Sequence, residues 1–340
     1  MPRPARPLPV DLPNVFLSAH ARSLGLTAGR LSAHDLDRPF RGVRSRPPDP
    51  VEDDDPDAPL ARDRAARTAI LTKLRAHSLL LPPHAFYIAT SALAILGLPF
   101  LDAEAAASAD IEVGVFSPHR ALRRPGIRSV QVGLGRAFVR EHEGLRVATP
   151  ASTWALLGRD LSVPELVVIG DAIVRVPRDD RGRRQPTRQL ATIAQLRVAA
   201  DAGRRYGIAR LREALPVIRT GSMSVLETEW RLCVEASDLP DPELDFEVRD
   251  AGGKLVGISD AAYPQFRTAV EIEGDHHRVT RVQWDRDIAK YAAYAANDWD
   301  VVRCTSRHIR GRRPQAADMV RAVLMRRGWR PQGARASRAT

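Results

Sequence analysis

Two acidic side chains, Asp260 and Glu271, stand eleven residues apart in a stretch that alternates apolar and polar residues. The alternation predicts that Asp260 lies at the end of one β-strand and Glu271 on the neighbouring strand. Two carboxylates held this close repel each other unless a cation lies between them. Oxygen ligands favour a hard divalent cation, so the pair predicts a Mg²⁺ (or Mn²⁺) site. Such a metal polarises a phosphoryl oxygen and lowers the pKa of bound water, which is the chemistry of phosphodiester hydrolysis.

The surrounding sequence predicts the elements that position this pair. The run SVLE, Ser224 to Glu227, has the capping-box pattern, which predicts that a helix begins after Ser224. Two alternating runs joined by DAGGK predict a hairpin, and TAVEIEG predicts a third strand with Glu271 and Glu273 on one face. The predicted strands are 244–249, 255–264, 268–274 and 300–305, with a further helix at 285–297.

The ordered set of motifs in region 221–330 resembles the Vsr-like endonuclease domain of the PD-(D/E)XK (restriction endonuclease-like) superfamily. The motifs are SxxE at 224–227, the run ending SDAAYP at 264, AVEIEGDHH at 269–277 and the run from Trp284 to Thr305. The resemblance implies a mixed sheet flanked by helices and a metal-dependent nuclease. It also implies that Asp260 and Glu271 are metal ligands, with Glu227 as a helix carboxylate near the metal.

The sequence departs from the superfamily at one position, because Glu273 stands where the catalytic lysine is usual. An acid cannot act on the attacking water as an ammonium does. Three interpretations stay open: Glu273 is a further ligand or base, Lys290 reaches in from the next helix, or the domain binds DNA without cutting it. His276 lies where Vsr-like proteins often place a histidine, which makes it a candidate general acid or base.

The upstream chain resembles the winged-helix and linker region of actinobacterial proteins related to AbiEi-type abortive-infection antitoxins. The similar segments are GLTAGRLSAHDLDRPFRGVR at 25–44 and GLRVATPASTWALLGRDL at 144–161. Phe16 to Leu24 predicts a short helix, and Thr27 predicts the N-cap of a second helix through Leu31. A wing strand at 38–44 would let Arg41 and Arg44 meet DNA phosphates.

Two segments have the composition of linkers, and they predict a multidomain α/β (α+β) protein. Residues 44–59 are acidic and rich in proline, whereas 176–189 are rich in arginine and predict an exposed loop. The predicted domains are a winged helix-turn-helix unit at 10–46, a mixed α/β middle domain at 60–219 and the nuclease-like domain at 221–330. The middle region contains neither a metal-ligand cluster nor a glycine-rich phosphate loop, so a protein-interaction role for it stays open. Its predicted elements are helices at 63–75, 90–96, 152–157 and 163–173 and a strand at 111–116.

The charge of the chain favours a polyanionic partner. There are 52 basic and 41 acidic residues, a formal net charge of +11. Nearly all of the excess lies from Arg303 to Thr340, and Arg310, Arg312 and Arg313 are candidate DNA contacts. The alternative is that the arginine-rich composition reflects only a GC-rich genome.

Several classes of protein are excluded by the composition. Cys233 and Cys304 form no CxxC motif, which argues against a zinc cluster and a disulfide framework. The apolar run 88–98 is far shorter than the ~20 residues that span a bilayer, and no signal-peptide pattern begins the sequence, so we expect a cytoplasmic protein without a membrane partner. No small-molecule cofactor is indicated, and a homodimer stays open. The leading hypothesis is a Mg²⁺-dependent DNA endonuclease; its rival is a non-catalytic DNA-binding regulator or antitoxin with a degenerate nuclease fold.

Overall fold

The protein is a mixed α/β chain that forms two compact units in a computed structural model. The structure describes residues 7–47, 60–274 and 281–331. Of these described residues, 7–47, 60–157 and 201–204 belong to the first unit, and 158–200, 205–274 and 281–331 belong to the second. The boundary after Leu157 therefore falls inside the segment 60–219 that the sequence predicts as one domain.

The N-terminal part of the first unit is built on a two-stranded antiparallel sheet. Strand β1 (Val15–Leu17) leads directly into helix α1 (Ser18–Ser23) and pairs with β2 (Val43–Ser45). The predicted helix from Phe16 is therefore wrong at its start, because Phe16 is a strand residue buried in a small apolar cluster. The second predicted helix is also wrong: only a single 3₁₀ turn, Arg30–Ser32, follows Thr27. Gly29 lies inside the predicted helix, and glycine disfavours helix propagation.

The remainder of the first unit is a five-stranded mixed sheet with four helices. The strands lie in the order β5–β4–β3–β7–β6, with parallel β4–β5 and β3–β7 pairs. The predicted elements at 63–75, 90–96, 111–116 and 152–157 are all present. The strands are β3 (Ala85–Tyr87), β4 (Ile111–Phe116), β5 (Ile127–Val132), β6 (Val139–His142) and β7 (Leu145–Ala148), and the helices are α2 (Ala61–Ser78), α3 (Ala89–Ile95), α4 (Ala103–Ser108) and α5 (Pro150–Leu157).

The second unit contains a four-stranded sheet in the order β11–β10–β9–β8. The β8–β9 and β9–β10 pairs are antiparallel, and the β10–β11 pair is parallel. This confirms the predicted order of helix, hairpin, strand, helix and strand. The strands are β8 (Glu243–Arg249), β9 (Leu255–Tyr263), β10 (Thr268–Glu273) and β11 (Asp300–Thr305).

Seven helices of the second unit lie within the described residues. These helices are α6 (Val163–Val174), α7 (Ile193–Asp201), α8 (Ile208–Ala214), α9 (Val225–Glu235), α10 (Arg281–Ala296), α11 (Ser306–Arg310) and α12 (Ala316–Arg326). Helix α6 coincides with the prediction at 163–173, and the predicted helix at 285–297 begins earlier, at Arg281. Across the described ranges of the whole chain, none of the helices has both the length and the apolar character needed to cross a membrane.

The sheet of the second unit separates two apolar clusters. Val270 packs with Trp230 in the larger cluster, which includes residues of α9 and α12. Ala269, its neighbour on β10, packs with Val248 and Tyr294 in the smaller cluster. Successive residues of β10 therefore face opposite sides of the sheet, as the alternating sequence predicts.

Strand β8 changes face at Asp245. Leu244 packs against the larger cluster and Phe246 against the smaller one, although residues two apart share a face in a regular strand. Asp245, which lies between these two residues, has a backbone φ of 50°, in the left-handed region. The neighbouring register pairs, Leu244 with Ala261 and Phe246 with Ser259, place Asp245 opposite Asp260.

Candidate functional site

The two predicted carboxylates lie where β9 and β10 stop pairing. The last paired residues are Ala261 and Val270, and Asp260 and Glu271 are the next residue on each strand. The prediction that Asp260 ends its strand is therefore wrong, because β9 begins five residues earlier and ends at Tyr263. Asp260 instead marks the end of pairing with β10. Its Oδ2 accepts a hydrogen bond from the Ile272 N–H at 2.6 Å, which holds the diverging strands together.

Helix α9 contributes the third carboxylate, Glu227. Ser224 caps the helix, since its hydroxyl oxygen accepts the Glu227 N–H at 3.2 Å. The Glu227 side chain reaches back and accepts the Met223 N–H at 2.7 Å. Glu227 is only 9% exposed, so its carboxylate is fixed in position and largely removed from water.

Burial and neighbouring charges shift the pKa values of all three carboxyl groups. Burial raises the pKa of Asp260 well above its usual range, and the negative charges of Glu227 and Glu271 raise it further. Burial also raises the pKa of Glu227, to about 7. Burial raises the pKa of Glu271, although Lys290 opposes this shift. Near neutral pH the three carboxyl groups are therefore not all ionised unless additional positive charge is supplied.

Lys290 reaches from α10 to Glu271. Its Nζ lies 2.7 Å from Glu271 Oε1. The same oxygen accepts a hydrogen bond from the Ser259 hydroxyl at 2.9 Å, and Tyr294 Oη lies 3.0 Å from Ser259 Oγ. Tyr294 can thus donate to Ser259 while Ser259 donates to Glu271. The chain orients this carboxylate from both β9 and α10.

Glu273 has partners of its own. Arg303 on β11 donates to both of its carboxylate oxygens, at 2.6 and 2.9 Å. The Tyr291 hydroxyl donates to Oε1 at 3.3 Å. Glu273 therefore shares a strand with Glu271 but is neutralised by a different cation. His276, the predicted acid or base, lies outside the described residues.

The donors of this site suit a hard cation that keeps part of its hydration shell. Within residues 7–47, 60–274 and 281–331, no three His, Cys, Asp or Glu side chains form a ready-made metal cage. Mg²⁺ is commonly held by one or two carboxylates and retains several waters. Asp260 and Glu271 supply such a pair, so the residues fit Mg²⁺ or Mn²⁺ better than a metal that requires four protein ligands.

The arginines predicted to contact DNA have different environments. Arg44 donates to the Leu31 and Val43 carbonyl oxygens, at 2.6 and 2.7 Å, and so stabilises its own unit. Arg310 donates to Glu229 on α9 at 2.6 Å. Arg41, Arg312 and Arg313 are exposed.

The sequence interpretation missed a fourth acid beside the site, Asp245. This residue is 5% exposed. Arg178 Nε donates to its Oδ1 at 2.6 Å and Arg184 Nε to its Oδ2 at 2.9 Å. Both arginines belong to segment 176–189, which the sequence predicts as an exposed loop. More than sixty residues separate the partners, so no local pattern could have paired them; the only signal was the density of arginine in the loop.

Comparison with known proteins finds two similar chains, both described as uncharacterized proteins of Mycobacterium tuberculosis. They are MT2308 of strain CDC 1551 / Oshkosh and Rv2248 of strain ATCC 25618 / H37Rv, and each is 31% identical over 158 residues. The match covers 46% of this chain and 54% of the relative, so it spans about half the length of each curated relative. No protein-family model and no solved structure matches the chain.

Proposed function

We propose that the protein is a Mg²⁺-dependent DNA endonuclease that hydrolyses phosphodiester bonds. The observation that carries the proposal is the position of Asp260 and Glu271 on adjacent strands where β9 and β10 stop pairing, with Lys290 bound to Glu271. The negative charge of Glu227 also raises the pKa of Asp260. In this proposal the sheet of the second unit is a restriction-endonuclease-like core of the Vsr-like type. The β1–α1–β2 segment acts as an accessory DNA-binding region, and Arg41, Arg312 and Arg313 contribute DNA contacts.

The residues of the chain would divide the work as follows. When bound by Asp260 and Glu271, Mg²⁺ would polarise the scissile phosphoryl group and lower the pKa of a coordinated water. The Ile272 N–H fixes Asp260, and the Ser259–Tyr294 pair fixes Glu271. The Lys290 ammonium lies next to Glu271, where it can stabilise negative charge that develops on the phosphate. Burial raises the pKa of Glu227 to about 7, so this side chain can gain or lose a proton near neutral pH and thereby change the charge of the cluster.

A second candidate is a non-catalytic DNA-binding regulator or antitoxin with a degenerate nuclease fold. The observation that favours it is the bidentate pairing of Glu273 with Arg303, which keeps the residue at the motif-lysine position from acting on water. In this case the carboxylate cluster would have no catalytic role, and the arginines would account for function.

Plasmid cleavage with matched variants tests the two candidates. Wild type, Asp260→Asn and Glu271→Gln are incubated with supercoiled DNA in Mg²⁺, Mn²⁺ or EDTA. Glu243→Gln is the control, because Glu243 is an exposed acid on the same sheet. We expect metal-dependent cleavage by wild type and control, and none by the other two. DNA binding without cleavage in any metal would favour the regulator, whereas equal cleavage by all four proteins would disprove the assigned site.

A further inference from the structure

The arginine-rich segment from Val176 to Gln189 is an ordered loop. Arg178 and Arg184 form an isolated antiparallel bridge at its base. Asp179 Oδ1 accepts the backbone N–H groups of Arg181 and Arg183, at 3.0 and 2.9 Å. Gly182, at the tip, has a φ of 76°, a conformation that glycine adopts at no steric cost. The hydrogen bonds fix the path of the backbone from one end of the loop to the other.

Two of its arginines fasten the loop to β8. Arg178 is nearly buried and donates to Asp245 and to Glu247, whose Oε1 lies 2.9 Å from Nη1. Arg184 donates to the Asp245 carboxylate and to its carbonyl oxygen at 3.0 Å. Because Asp245 lies opposite Asp260 across the hairpin, this attachment brings the loop to the part of the sheet that carries the carboxylates.

The tip of the loop lies against the strand that carries Asp260. A Cβ atom added to Gly182 would come within 2.9 Å of Ile258 Cδ1. Ile258 precedes Asp260 by two residues on β9. Arg181 and Arg183 flank Gly182. Both cationic side chains therefore branch from the loop where its backbone lies close to the Ile258 side chain.

The charges of these two flanking arginines are available to a ligand. The Arg181 side chain is exposed and has no partner among the described residues. The Arg183 side chain is 67% exposed and pairs with Asp179 at 2.8 Å. An exposed ion pair contributes little to stability, and a phosphate can replace the carboxylate with the same two-pronged geometry. The anchoring arginines, in contrast, are committed to Asp245.

We propose that loop 176–189 is a phosphate-binding loop that holds the backbone of duplex DNA beside Asp260, with Arg181 and Arg183 making the contacts. The loop would position the scissile strand at the carboxylate cluster. This inference rests on the proposed function, because it assumes a DNA substrate.

Salt-dependent DNA binding of the full chain in EDTA tests the loop without requiring catalysis. Each phosphate contact adds about 0.9 to the slope of log affinity against log salt for duplex DNA. We expect Arg181→Ala to reduce the slope by about 0.9 and the Arg181→Ala/Arg183→Ala double variant by about 1.8. Arg181→Lys should keep the wild-type slope because it keeps the charge. Arg197→Ala is the matched control, since Arg197 is an exposed arginine on α7, outside this loop.

The outcomes separate failure of the loop from failure of the proposed function. Wild-type slopes in Arg181→Ala and in the double variant, or an equal loss in Arg197→Ala, would overturn the loop assignment while DNA binding stands. A wild-type protein that does not bind duplex DNA at low salt would overturn the proposed function and the loop together. Urea unfolding of each variant shows whether the fold is retained, and we expect midpoints equal to wild type because both side chains are exposed.

Discussion

Lys290 on α10 forms an ion pair with Glu271 on β10, with 2.7 Å between Nζ and Oε1. The helix thus brings a cation to the carboxylate cluster, while Glu273, two residues along the same strand, is neutralised by Arg303 from β11. Strand β10 carries Glu273 rather than a lysine at residue 273, and α10 supplies a positive charge through Lys290 instead. This arrangement favours the second of the three interpretations that the sequence left open.

Replacing Lys290 should impair cleavage more than replacing Glu273. Lys290→Ala removes the cation beside Glu271, and we expect a fall in the cleavage rate of roughly 10²- to 10³-fold, as for loss of one preorganised electrostatic group. Glu273→Gln should change the rate little, because Arg303 already neutralises that carboxylate. Single-turnover cleavage at saturating Mg²⁺ measures both effects. If neither substitution alters the rate, the assignment of the cation is wrong.

Asp260→Asn should remove activity and yet stabilise the metal-free protein. The substitution deletes a charge that burial, Glu227 and Glu271 all disfavour, as the raised pKa of Asp260 indicates. The asparagine oxygen can still accept the Ile272 N–H. We expect a higher midpoint of urea unfolding than wild type in EDTA at pH 8, and loss of the stabilisation that Mg²⁺ gives wild type. A lower midpoint in EDTA would show that the carboxylate cluster is not electrostatically strained.

The contribution of Glu227 to the stability of the metal-free protein should decrease as the pH rises towards 7. Burial raises the pKa of Glu227 from 4.5 to about 7, so between these values the folded protein binds more protons than the unfolded chain. Stability then falls with increasing pH across this window, by about 3 kcal/mol for this group. Glu227→Gln mimics the protonated side chain and still accepts the Met223 N–H.

Urea unfolding in EDTA at several pH values from 4 to 8 measures this dependence. The difference in unfolding free energy between Glu227→Gln and wild type should grow in favour of the variant as the pH rises. Comparing the two proteins cancels the contribution of the other titrating groups. A difference that does not vary with pH would contradict the raised pKa of Glu227.

A buried ion pair links α6 to α9. Arg231 and Asp171 are each 1% exposed at the side chain, with Nη2 and Oδ2 2.7 Å apart, and Thr228 and the Arg219 N–H also donate to Asp171. Asp171→Ala leaves Arg231 buried, with Glu235 as its one remaining charged partner among the residues that the structure describes. We expect a loss of about 3–5 kcal/mol in the free energy of unfolding, as for other broken buried pairs.

An exposed ion pair of the same unit provides the control for that experiment. Arg310 and Glu229 lie 2.6 Å apart but are 53% and 31% exposed. Arg310→Ala should change the free energy of unfolding by less than about 1 kcal/mol, because water screens such pairs. Equal effects of Asp171→Ala and Arg310→Ala in chemical denaturation would show that α6 and α9 are not coupled through Asp171.

Local patterns in the sequence predict much of the second unit. The hairpin, β10, β11 and the N-cap at Ser224 are all present, because alternation, turn residues and capping chemistry act over a few residues. The same patterns fail in the first unit at Phe16, where a short apolar run fits a strand as well as a helix. Short apolar runs do not distinguish these two structures.

The electrostatic partners of the site required the tertiary structure. Lys290 was one of three alternatives in the sequence, and only the position of α10 against β10 pairs it with Glu271. Arg178 and Asp245 are 67 residues apart and share no periodicity. Nor could the sequence indicate that β8 changes face at Asp245, since a left-handed aspartate inside a strand leaves the alternation of residue types almost unchanged.

The change of face at Asp245 makes the hairpin a junction between two separate apolar cores. On one side of this residue the hairpin contributes Leu244 and Ala261 to the Trp230 cluster, and on the other it contributes Phe246 and Val248 to the Tyr294 cluster. Substitutions in one half can be accommodated by repacking a single core, while the other half keeps its geometry. Asp245, the residue at the junction, tolerates fewer substitutions. A β-branched side chain at this position would disfavour the left-handed backbone conformation on which both halves of the hairpin depend.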